Sequence, residues 1–283
     1  MPPAVFRTLL VCSRSSRGSQ RAAVPGIFIM PGRRSPLKHA LNRPRLTLLG
    51  ARKEYSKCAG LIERSISTNG LNPTLSEQII GVGIALDWVR RAAEMEQILY
   101  VGDNLNTSEH KQRFTDFLRF AFAWFGLNAV FTRESLLSLV SPTIPASEFA
   151  KFKILLSLDT IVDSAVIEAE LRSLLDTITT PRLPGLPSGA KVTTLKAIHL
   201  KYVPHGTHHG ACANALASAA NSGSAASLDL ATMIYGLRNW SIHGNALDGC
   251  FGSQPRQMRY VELLTNVLAD VHFNTARALR SVL

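Results

Sequence analysis

The stretch "FTDFLRFAFAWFGLNAVF" places Phe114, Phe117, Ala121, Trp124, Leu127 and Phe131 at steps of three and four residues. That step is the period of an α-helix, and it leaves one apolar stripe to be buried. A single amphipathic helix cannot close a core, so the chain has to supply further helices with stripes of their own. The aromatic stripe is expected to be core rather than a platform on which bases stack. Asn128 lies within it, and an amide on an apolar helix is expected to hydrogen-bond a neighbouring helix.

Helical patterns recur on both sides of this segment. "TLSE", Thr74 to Glu77, has the form of a capping box and is expected to open a helix running to about Tyr100. Thr107 or Ser108 can cap the aromatic helix, and Ser147 can cap a helical region reaching about Thr177 with a break near Ser157. A short helix over Lys191–Tyr202 and two closing helices, Leu228–His243 and Gln257–Val282, complete the pattern. Long loops are expected near 180–190, where Pro181, Pro184 and Pro187 favour extended backbone, and near 204–227, where small residues dominate. No segment alternates as a strand does and no internal repeat is visible, so the expected fold is all-α, an irregular helical bundle.

Charge divides the chain unevenly. Of its 31 Lys and Arg residues, eleven fall in Met1–Lys53, which holds no acid, so Glu54–Leu283 is formally neutral. A neutral body has no global field with which to gather polyanions, and any nucleic-acid contact has to be local. Residues 1–53, rich in Arg, Ser, Pro and Gly, are expected to be a basic disordered arm, a transit segment, or a spurious extension before a start at Met30. Residues 54–283 are expected to form one helical domain. The arm between Arg33 and Lys53 could tether RNA without sequence preference.

Four cysteines, Cys12, Cys58, Cys212 and Cys250, form no C-x-x-C pair, which argues against a disulfide framework or zinc ribbon and fits a reducing, cytoplasmic setting. The apolar run Phe117–Phe131 is shorter than the roughly 20 residues of a membrane span and carries Arg119, so no membrane is expected. "HGTHHGAC" offers His205, His208, His209 and Cys212 as weak metal candidates. It lacks a second ligand cluster, and adventitious affinity is expected rather than a specific site or cofactor.

The densest polar chemistry lies in "MIYGLRNWSIHG", Met233 to Gly244. With each residue turning roughly 100°, Leu230, Met233, Ile234, Leu237 and Trp240 share a core stripe. Tyr235, Asn239 and His243 fall opposite, with Arg238 on the flank and Gly244 positioned to end the helix. A carbonyl-exposing helix end favours imidazolium, and an imidazole beside a fixed cation suits phosphate chemistry. The same residues also make good capping chemistry for a last helical turn.

"YGLRNWSIHG" resembles the signature of the HEPN superfamily, in which an Arg, usually followed by a polar residue, precedes a His by four to six positions. Arg238, Asn239 and His243 match its R-N-x-x-x-H form, "YVELLTNVLADV" is similar to the closing helix, and "FAFAWFGLNAVF" is similar to the aromatic-rich early helix of Apea-like bacterial members. The resemblance implies a HEPN-type helical bundle and a metal-independent endoribonuclease of a toxin–antitoxin or phage-defence system, acting as a homodimer. It further implies His243 as general acid or base, Arg238 as stabiliser of the phosphorane, Asn239 as the residue that orients the histidine or the phosphate, and Tyr235 as a binding contact. RNA and a cognate antitoxin or effector protein are the implied partners. The alternative within the same superfamily is a non-catalytic interaction or nucleotide-binding module, in which the trio caps the helix or holds a dimer.

Overall fold

The computed structural model describes residues 43–95, 108–158, 177–179, 189, 191–193, 230–242 and 255–283, all within the second of two compact units, Pro36–Leu283. Seven helices account for nearly all of them. They are α1 (Arg43–Asn69), α2 (Pro73–Glu94), α3 (Ser108–Phe131), α4 (Glu134–Val140), α5 (Glu148–Ser157), α6 (Leu230–Ile242) and α7 (Pro255–Val282). A short antiparallel ribbon pairs β1 (Thr177–Thr179) with β2 (Lys191–Thr193), Ile178 opposite Val192.

The four long helices close a ring, α1 on α2, α2 on α3, α3 on α7 and α7 on α1, with α4, α5 and α6 packed against it. Each contributes a helical stripe. On α1 the fully buried residues are Leu48, Ala51, Tyr55 and Cys58, with Ile62 just behind them; on α3, Phe117, Trp124, Leu127 and Phe131 are buried. Burial of an aromatic or aliphatic side chain of this size stabilises by about 1.5–3 kcal/mol, so these stripes carry the fold.

Several sequence expectations need correction. The helix α1 begins at Arg43, inside the segment expected to be an arm, because Leu48 and Ala51 bury against the bundle and Arg52 pairs with Glu94. The domain therefore includes residues assigned to 1–53, and the arm's Arg52 is already engaged. The cap of α2 is Asn72, whose side chain accepts from the Leu75 amide with Pro73 in the first turn, and not the Thr74 box. That helix stops at Glu94 rather than near Tyr100, since the Arg119 guanidinium on α3 donates to the carbonyls of Ala92 and Met95 and satisfies the end of the helix. Ser147 caps α5 and α5 ends at Ser157, both as expected, whereas Thr177 lies in a strand rather than at the end of a helical region. Lys191–Thr193 is also a strand rather than a helix start, as β-branched Val192 and Thr193 favour. The two expected loops, apart from Gly189, and Phe114's side chain lie outside the described residues.

At the centre, His272 of α7 is fully buried between α1 and α3. A carbonyl can only accept, so the Nε2–H donates to the Ala123 carbonyl at 2.7 Å and the Tyr55 hydroxyl donates to Nδ1 at 3.2 Å. Gly126 makes room for the ring, because a Cβ there would stand 2.8 Å from His272 Cε1. Burial lowers the His272 pKa from 6.5 to about 4, against a smaller opposing effect of the Ala123 bond. The unfolded chain therefore binds one more proton than the folded chain between those values, and stability is lost as the pH falls from about 6.5 toward 4. Urea unfolding at about pH 7 and about pH 4.5 is expected to show a loss of about 2–3 kcal/mol from this group, absent in His272→Gln.

Candidate functional site

Helix α6 changes character along its length. Ala231 to Leu237 are all buried, whereas Arg238 and Asn239 come partly into solvent at the last turns. The seven buried positions explain why Tyr235 does not lie on an open face as the helical wheel implies. Its ring sits edge-on to Trp124 at 5.7 Å and to Phe149 at 5.2 Å, so α3 and α5 close over the side opposite Leu237. Burial raises the Tyr235 pKa above 10.0, and the neighbouring Glu148 carboxylate raises it further.

Arg238 is held from several directions. Its guanidinium carbon stands 5.2 Å from the Tyr235 ring centroid and 5.7 Å from that of Trp124, a cation over two aromatic faces. Its Nη1 donates to Asn239 Oδ1 at 2.7 Å, and its Nη2 donates to Glu148 Oε1 at 3.1 Å. Its buried Nε has no hydrogen-bond partner among the described residues. The Arg238 side chain is 19% exposed and that of Glu148 33%, so the pair lies at the rim and not in the deep interior.

Glu148 is the residue that sequence reasoning did not single out. Besides Arg238, it accepts from Asn128 Nδ2 at 3.1 Å through Oε1 and from the Tyr235 hydroxyl at 3.4 Å through Oε2. Asn128 thus makes the interhelical bond expected of it, and its partner is this carboxylate. Donors from α3 and α6 converge on the first residue of α5. In the sequence, Ser147 followed by Glu148 reads as an ordinary helix start with an acid in the first turn. The signal for a site was 90 residues away in Arg238 and could not be seen locally.

The structure brings Tyr235, Arg238 and Asn239 together. No family model, curated protein or solved structure matches this chain. His243 lies outside the described residues, as do His205, His208, His209 and Cys212. Among the described residues no group of three or more His, Cys, Asp or Glu side chains is arranged to hold a metal, and no helix is long and apolar enough to cross a membrane.

Chemically, the cluster is a guanidinium fixed against an aromatic wall, orienting an amide on one side and bound to a carboxylate on the other. A partly buried pair of this kind couples more strongly than an exposed one. A double-mutant cycle of Glu148→Gln and Arg238→Met, read by urea unfolding, is expected to give a coupling energy of about 1–2 kcal/mol. Additive effects would show that the pair contributes nothing to stability.

Proposed function

We propose that this chain is a HEPN-type helical protein that cleaves RNA without a metal, using the end of α6 and the His243 that comes after it. The observation that supports this reading is the emergence of Arg238 and Asn239, side by side and hydrogen-bonded, from a helix otherwise buried through Leu237. A cation and a titratable imidazole are the pairing that phosphodiester transfer requires, and His243 follows Arg238 by five positions in the sequence.

In this reading a base removes the proton of an RNA 2′-hydroxyl, whose oxygen then attacks the adjacent phosphorus. The bond from phosphorus to the 5′-oxygen breaks as an acid supplies that oxygen with a proton, leaving a 2′,3′-cyclic phosphate and a 5′-hydroxyl. Arg238 offsets the charge of the phosphorane, and Asn239 orients the guanidinium through its Oδ1. One imidazole cannot begin as both base and acid, so a homodimer that opposes two copies of His243 supplies both. The RNA is recognised locally, since residues 54–283 carry no net charge. An antitoxin-like or effector partner in a defence system would regulate such an activity.

A second reading has its own observation. Arg238 is already paired with Glu148, and a guanidinium so engaged serves equally to lock α6 to α5 in a non-catalytic interaction module. The two readings separate in one assay. Incubated with end-labelled RNA in EDTA, the wild type is expected to cut, and His243→Ala and Arg238→Ala, folded by circular dichroism, to cut at least about a hundredfold more slowly. No cutting by the wild type, together with loss of self-association in Arg238→Ala, would establish the module instead.

A further inference from the structure

A phosphate that is to use Arg238 meets a competitor already in place. The Glu148 carboxylate sits on Nη2 of the guanidinium at 3.1 Å and neutralises it. The cation itself has little freedom to move toward a ligand, because its side chain is largely buried beneath Trp124 and Tyr235. The carboxylate is the looser partner. It is a third exposed and opens a helix, so on leaving Arg238 it can take water in place of the guanidinium.

We propose that Glu148 is the resident anion of the Arg238 site, a positioning residue that holds the guanidinium against its aromatic wall and gives up its place on it to an RNA phosphodiester. The proposal rests on the reading of the α6 end as a phosphate site and adds what sets its affinity. A carboxylate that must be displaced makes binding weaker than the guanidinium alone would give, so backbone contacts elsewhere along an RNA have to assist. Lone phosphates are held poorly, and longer strands are favoured. Removing the charge while keeping the shape should therefore tighten binding, whereas damage to a purely structural residue would weaken it.

The test uses the full chain and a labelled 2′-fluoro oligoribonucleotide, which lacks the attacking hydroxyl, with affinity read by fluorescence anisotropy in EDTA at fixed salt. Glu148→Gln retains an oxygen that can accept from Asn128 and Arg238 but carries no charge. It is expected to bind about tenfold more tightly than the wild type, and adding Arg238→Ala is expected to remove the gain. Glu148→Ala serves the same purpose should the Gln variant fail to fold, with the same direction expected. An affinity unchanged or weakened in a folded variant, with only the melting temperature lowered, overturns the proposal. A wild type that cuts no RNA while Glu148→Gln still binds more tightly would remove the nuclease and leave the resident anion standing. A wild type that cuts while Glu148→Gln binds as the wild type does would overturn Glu148's role alone.

Discussion

The buried imidazole of His272 governs how α1, α3 and α7 meet, because both of its nitrogens have to be satisfied away from water. The Nε2–H reaches a carbonyl on α3 and Nδ1 receives the Tyr55 hydroxyl of α1, so a slip of either helix along α7 would strand a polar atom in the core. Gly126 lets α3 approach closely enough for this. Beyond Ala123, the same helix presents Trp124 and then Asn128, and those two side chains receive α5 and α6. Trp124 takes Phe152 at 4.8 Å and Tyr235 at 5.7 Å, while Asn128 takes Glu148. The position of the polar cluster is therefore inherited from a hydrogen-bonded core several side chains away.

That arrangement gives the α6 end an unusual combination of rigidity and charge. The Trp124 and Tyr235 rings restrict Arg238, and Asn239 and Glu148 fix its orientation, so little ordering remains to be done when a ligand arrives. Preorganised cations are effective where negative charge develops in a reaction. The same geometry is also a good structural lock between helices. What distinguishes the two roles is whether the guanidinium exchanges its carboxylate for a phosphate, a matter of charge and not of packing.

Much of the helical architecture was legible from periodicity. The aromatic stripe of α3 buries as its three- and four-residue steps require, Ser147 caps α5, and the closing helices differ from expectation by two residues or fewer at each end. Helix α1 was missed because its stripe runs through Ala51, Tyr55 and Cys58, weakly apolar residues set among cations, so composition masked a regular 3–4 spacing. The end of α2 was misplaced because Arg119, which satisfies its last carbonyls, lies on another helix. At the site, Arg238 and Asn239 were visible as a local motif, and the burial of Tyr235 was not. The wheel of one helix cannot show that α3 and α5 cover two of its sides. Glu148 escaped for the same reason, since a carboxylate at a helix start has a sufficient local explanation.

In the proposed reaction the end of α6 transfers RNA phosphodiesters to the 2′-oxygen. The chemistry of the product ends tests it most directly, read by mass spectrometry after incubation of a defined oligoribonucleotide with the full chain in EDTA. Fragments ending in 2′,3′-cyclic phosphate and beginning with 5′-hydroxyl are expected. Intact RNA, or fragments bearing 3′-hydroxyl and 5′-phosphate ends, would contradict it.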